Sequence, residues 1–131
     1  MFKQLSERVY YIPHNHDTDR PAIGIILGDR ALMLIDAGNS RSHAELVLNN
    51  IRKLTDKPVK YIGLTHWHWD HTFGLSGYEN PIVIAHPLCN ENLRRLQGLS
   101  WDDEALEKRV LSGEEIEFCA ENIKKEFPDR T

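Results

Sequence analysis

Val59-Lys60-Tyr61-Ile62-Gly63-Leu64-Thr65-His66-Trp67-His68-Trp69-Asp70-His71-Thr72-Phe73-Gly74 is the stretch on which the reading of this chain turns. Residues 59–64 are mostly β-branched, aromatic and aliphatic, and predict a strand. Directly after it, three histidines and an aspartate fall within the six positions 66–71. On an extended chain, residues i and i+2 face the same side, so His66 and His68 can offer two imidazoles to one cation. Asp70 shares that side if the extension continues, whereas His71 needs a turn to converge. Imidazole nitrogen with carboxylate oxygen suits zinc, manganese or iron, and no cysteine stands nearby to build a sulfur-rich structural site. The pattern points to an open, catalytic kind of metal site at a strand end. The plainer alternative is a set of solvated loop histidines.

Working outward, residues 8–12 (Arg-Val-Tyr-Tyr-Ile) read as a strand closed by Pro13, which lacks a ladder donor. Residues 14–20 form a polar loop. The apolar runs 22–27 and 30–35 are separated by Gly28-Asp29, a connection of hairpin length. Beyond Asp36-Ala37-Gly38 come the capping candidates Asn39 and Ser40, then Ala44, Val47, Leu48, Ile51 and Leu54 at helical spacing. Downstream, residues 81–85 predict a short strand, and residues 88–127 predict helices broken near Gly98 and Gly113. The acidic run Trp101-Asp102-Asp103-Glu104 reads as a solvated helix start, where negative charge suits the helix dipole. The fold class is α/β, with a mainly antiparallel or mixed sheet and flanking helices, in one domain over residues 1–131.

Composition narrows the partners. With 16 Lys and Arg against 20 Asp and Glu the net charge is −4, and no basic cluster could track phosphates, so no nucleic acid is expected. The apolar runs are far short of the roughly 20 residues that span a bilayer, so no membrane is expected. Without a visible secretory leader, a cytoplasmic location is the expectation. Cys89 and Cys119 lie thirty positions apart and are expected to be reduced, with Cys119 buried beside Ile116, Ala120 and Ile123 on one helical face.

Residues 65–74 resemble the T-H-x-H-x-D-H-x-x-G motif of the metallo-β-lactamase superfamily, and Leu34-Ile35-Asp36-Ala37-Gly38 is similar to its first motif, an Asp at a strand end followed by Gly. The resemblance, to the glyoxalase II-like zinc hydrolases of that superfamily, implies an αββα sandwich of which this chain forms the N-terminal half. It implies that His66 and His68 hold a first metal, that Asp70 and His71 hold a second, and that Asp36 orients the metal loop through hydrogen bonds. His68 stands where related diiron redox enzymes carry Glu, which implies hydrolysis and, with it, zinc as one or two ions. Asp70 is then the candidate to orient water and shuttle its proton. The family pattern continues with a third histidine, a bridging aspartate and a last histidine, and none of these follows His71 here. The expectation is a chain apparently truncated at its C-terminus.

The remaining candidates carry less chemistry. His14 and His16, in the polar loop, are possible pocket residues, while His43 is expected to pack on the first helix and His86 matches no family ligand. Trp67 and Trp69 alternate with the ligands and should point away from them. The leading function is a zinc hydrolase of small thioester, lactone, β-lactam or phosphoester substrates using metal-activated water. Its alternatives are a non-catalytic metal-binding or interaction fragment with an incomplete site, and a diiron redox protein. Because the strands are apolar on both faces and the helices suffice for one, the chain is expected to form a homo-oligomer or to associate with a missing C-terminal half.

Overall fold

The computed structural model of the chain describes residues 1–128 and 130. Six strands lie side by side in chain order: β1 (Lys3–Gln4), β2 (Val9–Ile12), β3 (Ile23–Leu27), β4 (Leu32–Ile35), β5 (Val59–Gly63) and β6 (Ile82–Ile84). The first four pair antiparallel, and β5 and β6 then pair parallel to β4 and β5 respectively. The change of direction follows from the connections. A tight turn joins β3 to β4, with Gly28 N donating to Ala31 O at 2.8 Å, whereas helix α1 (Arg41–Leu54) carries the chain from β4 across to β5. That turn consumes the first two residues of the run 30–35 expected as a strand, so β4 begins only at Leu32. The edge pair at β1 lay outside the sequence reading because Lys3 and Gln4 are exposed and carry no apolar signal.

One face of the sheet is closed. Ile12, Ile23, Ile25, Leu32, Leu34 and Ile62 alternate along four strands and are at most 1% exposed. Against them α1 turns Ala44, Val47 and Ile51, the stripe its spacing announced, and Ser40 caps the helix by accepting from His43 N at 3.0 Å. Burying each such aliphatic side chain stabilises the fold by roughly 1.5–3 kcal/mol.

The other face is open. Val9, Ile26, Met33, Tyr61 and Ile82 stand in register across five strands, and Tyr11, Gly24, Ile35, Gly63 and Ile84 form the next row. Most of these side chains are half-buried, and the exposure reaches 37% at Ile26 and 50% at Ile82 and Ile84.

The last third is helical as expected: α3 (Pro87–Gln97), α4 (Asp103–Ser112) and α5 (Glu117–Glu126) end or begin around Gly98 and Gly113. Gly113 sits at φ 83°, the left-handed C-cap that glycine adopts without a steric penalty. Asp102 caps α4 by accepting from Ala105 N at 2.8 Å, so the acidic run is a helix start. Helices α4 and α5 build a second small core from Leu106, Ala120 and Ile123 around Trp69 of the histidine-rich stretch. Cys89 is buried in the main core, whereas Cys119, expected to be buried, is only half-buried because its helix also borders a cavity. Among the described residues, no helix is long and apolar enough to cross a membrane.

Soluble monomers rarely leave such an apolar face to water. We therefore expect the purified chain to self-associate at micromolar concentration, and Ile26→Lys with Ile84→Lys to shift it toward monomer without unfolding it. Sedimentation velocity of both proteins checks this, and a wild-type chain that stays monomeric would count against it.

Candidate metal centre

The parallel strands β4 and β5 end side by side, and the chain leaves each of them at the same edge of the sheet. After β4 the backbone turns at Asp36, which is 4% exposed and adopts φ 67°, a left-handed conformation uncommon for a residue other than glycine. The turn is held by Asp36 N donating to Gly63 O (2.8 Å) and Ala37 N donating to His71 O (2.9 Å). Gly38 follows at φ 89°, and a Cβ there would lie 2.6 Å from His43 Nδ1. Gly74 is needed for a different reason. Its N–H donates to Gly38 O at 2.9 Å, and a Cβ would meet Ala37 O at 2.1 Å.

Asp36 ties the two strand ends together. Its Oδ1 accepts from Thr65 N at 2.8 Å, the Thr65 hydroxyl donates to the same carboxylate, and its Oδ2 accepts from His71 Nδ1 at 2.7 Å. Because the Thr65 proton goes to Asp36, the 2.8 Å contact between Thr65 Oγ1 and His66 Nδ1 is satisfied with the imidazole N–H donating. That tautomer leaves the Nε2 lone pair of His66 free. Burial alone would raise the Asp36 pKa, but the hydrogen bonds from His71 and Thr65 outweigh it and hold the carboxyl below its usual range. For His71, burial opposes the charge, yet its bonds to Asp36 and Asp70 raise its pKa to about 9.

Extension stops at His68, earlier than the sequence reading allowed for. A one-turn helix, α2 (Trp69–Thr72), begins there, and it brings His71 back toward His66 while taking Asp70 off the extended side. The ring of His66 lies 4.6 Å from that of His68 and 4.1 Å from that of His71, centre to centre, and Asp70 Oδ2 is 3.3 Å from His71 Nε2. The donors thus suit a divalent cation in kind and in neighbourhood. Among the described residues, however, no three histidine, cysteine, aspartate or glutamate groups are arranged to enclose one ion. Burial and the charges of His71 and His68 hold the His66 pKa below its usual value, which keeps that imidazole neutral.

The two tryptophans of the motif pack in opposite directions. Trp69 is 6% exposed and anchors the loop to α4 and α5, whereas Trp67 lies against the main core under the Arg95 guanidinium. Between these helices and the loop lies a cavity of about 360 Å³ bordered by His68, Asp70, Asp19, Glu115 and Cys119. Asp19 and Glu115 were not singled out by sequence, since they lie 51 and 45 positions from Asp70 respectively and carry no motif. Burial raises the pKa of both carboxyls, with the charge of Asp70 adding to the effect at Asp19, and it pushes the Cys119 thiol up to about 12. His14 and His16 stand exposed and ring to ring, 4.2 Å between centres, and are not among the residues lining this cavity. His86 caps α3 by accepting from Leu88 N at 3.1 Å.

His43 is 1% exposed beneath the Asp36–Gly38 turn, and its Nδ1 accepts from Asn39 N at 3.2 Å. Burial, with the charges of Arg20 and His71, lowers its pKa to about 4 from the unfolded value of 6.5. The unfolded chain therefore takes up the proton first, and stability is lost as pH falls from about 6.5 toward about 4, by an amount on the order of 3 kcal/mol. Denaturant titrations across this window should show the loss, and His43→Gln should flatten it. Asp36→Ala should cost about 2–4 kcal/mol by leaving the His71 and Thr65 donors unpaired, and should speed hydrogen exchange at the Thr65 amide. Unchanged exchange there would remove Asp36 from its positioning role.

The family model of the metallo-beta-lactamase superfamily matches residues 17–128. A curated relative, the linear primary-alkylsulfatase of Pseudomonas sp. (strain ATCC 19151), is 37% identical over 54 residues, which is 41% of this chain and 10% of the relative. Among solved structures, the stereoselective inverting sec-alkylsulfatase Pisa1 from Pseudomonas sp. superposes with a TM-score of 0.65 at 22% identity, over 76% of this chain and 17% of that one. The metallo-beta-lactamase FIM-1 from Pseudomonas aeruginosa, in its mono-zinc form, superposes with a TM-score of 0.60 at 15% identity, over 72% of this chain and 45% of that one. The chain thus spans about a tenth of the length of the curated relative and less than half of these solved structures. Its mixed sheet and helices match part of the family fold, and the chain belongs to the metallo-β-lactamase superfamily.

Proposed function

We propose that this chain contributes the metal-binding half of a zinc-dependent hydrolase active site, with His66 and His68 serving one ion and Asp70 and His71 a second. The observation that carries the reading is the clustering of His66, His68 and His71 at 4.1–4.6 Å between rings, fixed from behind by the Asp36 carboxylate. Manganese or iron would suit the same donors, but nitrogen and oxygen ligands around an open position favour zinc. Such a cation supplies Lewis acidity, polarising the carbonyl, sulfuryl or phosphoryl group under attack and acidifying water.

The chain's own residues do the rest. Thr65 fixes the tautomer of His66 and so presents its Nε2, while Asp36 fixes the orientation of His71. Asp70 Oδ2, beside His71 Nε2, is the carboxylate placed to accept a proton from a neighbouring water. The names of the relatives include an alkylsulfatase and β-lactamases, so a small ester or amide bond is the substrate class this reading favours. A second reading, a metal-binding module without turnover, draws on the lack of a third converging donor among the described residues.

We expect zinc to bind the purified chain and to fall to background in the His66→Ala, His68→Ala double variant, as measured by elemental analysis after gel filtration. Zinc content unchanged by the double substitution would overturn the ligand assignment. With no closed set of donors among the described residues, turnover of thioester, lactone or sulfate-ester substrates by these 131 residues should be slow and zinc-dependent. Ester hydrolysis that survives exhaustive chelation would overturn the metal-dependent reading.

A further inference from the structure

We infer that the helix pair α4–α5 is a lid over the histidine-rich loop, opening as a unit while the sheet and α1 stay folded, and that the buried Arg20–Glu126 ion pair is its latch. The opening itself does not depend on a metal. Its consequence, gated approach to His68 and Asp70, rests on the hydrolase reading of that cluster. The helix pair is held by side chains alone. Among the described residues, no backbone hydrogen bond joins residues 103–126 to the sheet, α1, α2 or α3. Two sets of polar ties cross the seam. Glu126 Oε2 accepts from Arg20 Nη2 at 2.7 Å and from Ser40 Oγ at 3.2 Å. Cys119 Sγ donates to Asp19 Oδ2 at 3.6 Å and accepts from the Trp69 indole, and both of these are weak bonds to sulfur.

Apolar burial is thin on the lid side. The second core has four buried side chains, Trp69, Leu106, Ala120 and Ile123, against thirteen in the main core, so less hydrophobic stabilisation is lost when it parts. Leu111, Ile116 and Phe118 of the same segment stay exposed and add little. Buried polar atoms are also less well paired here. Arg20 Nε, Arg109 Nη2 and Asn122 Oδ1 find no hydrogen-bond partner within the protein, nor do Thr18 Oγ1 and Asn39 Oδ1 in the segments that carry the latch. Away from the seam, among the described residues, only Asn50 Oδ1 is so placed. Such atoms regain hydrogen bonds to water when the seam opens, which lowers the free energy of local opening relative to that of global unfolding. The latch opposes this. Its side chains are 16% and 9% exposed, and a charge-assisted bond so placed is stronger than one in water. The hinge falls in residues 98–102, between α3 and α4. Opening takes the apolar nest away from Trp69, and the loop carrying His68 and Asp70 loses one of its two anchors.

The test is native-state hydrogen exchange on the complete, metal-free 131-residue chain at low denaturant concentrations. Corrected for intrinsic rates, the mid-helix amides of Val110 and Ile123 are expected to exchange roughly tenfold or more faster than those of Leu34, Val47 and Ile62, with a shallower dependence on denaturant. Two variants separate the lid from the platform. Ile51→Val, in the main core, should speed exchange at Leu34, Val47 and Ile62 severalfold and leave Val110 and Ile123 unchanged, because the core is intact in both the closed and the open form. Glu126→Gln, which takes the charge partner from Arg20, should speed Val110 and Ile123 about tenfold. If Glu126→Gln fails to fold, the wild-type and Ile51→Val profiles still decide the matter. Equal rates and equal denaturant dependence in the two regions, or a severalfold rise at Val110 and Ile123 in Ile51→Val, would overturn the lid. Unchanged exchange at those amides in Glu126→Gln would overturn the latch. Neither readout involves metal or turnover, so failure of the lid and failure of the hydrolase reading are separate results.

Discussion

A single carboxylate, that of Asp36, organises the functional end of this molecule. It is 4% exposed and would be costly to bury alone, and it is balanced by two donors from Thr65 and one from His71. Those partners lie 29 and 35 positions further along the chain. The interaction therefore cannot form until β4 and β5 are paired, and once formed it fixes how the histidine-rich loop leaves the sheet. The left-handed backbone at Asp36, the glycine at position 38 and the close approach of Gly74 to the carbonyls of Ala37 and Gly38 are the geometric conditions for that carboxylate to face the loop. His43, buried neutral beneath the same turn, supports it from the side of the helix.

From this point the structure divides its labour between two cores. The sheet and α1 supply a rigid platform in which alternate strand residues are closed to water. Helices α4 and α5 contribute a smaller core that grips the loop through Trp69. The motif is thus clamped from both sides, by the part-buried Asp36–His71 pair on one and by an indole in an apolar nest on the other. Residues from the β2–β3 loop, the motif and the start of α5 meet at the cavity beside it.

The same arrangement accounts for the open sheet face. Parallel pairing of β4, β5 and β6 needs crossovers, and here they place α1 over one side of the sheet. The rows headed by Val9 and Tyr11 are as apolar as the covered ones, so the molecule carries two hydrophobic surfaces on one sheet and closes one of them. That imbalance fits a domain whose relatives extend well beyond the segment matched here.

Much was legible in the residues themselves, because it depends on local periodicity. The strand read at residues 59–64 and found at 59–63, the helix from Ser40, the helix breaks at Gly98 and Gly113 and the nearness of His66 and His68 follow from side-chain alternation, capping and turn chemistry over a few positions. The family followed from two short motifs in order, at Asp36 and at residues 65–74. What the sequence could not determine is whatever depends on distance through space. That the extension ends at His68, that Trp69 is buried while Trp67 is not, that Cys119 stays half-buried, and that Asp19 and Glu115 face the motif across a cavity were decided by the packing of α4 and α5. Trp69, for one, meets Leu106, Ala120 and Ile123, 37 to 54 positions further along, and nothing in a side chain's immediate neighbours along the chain encodes where such a helix will come to rest.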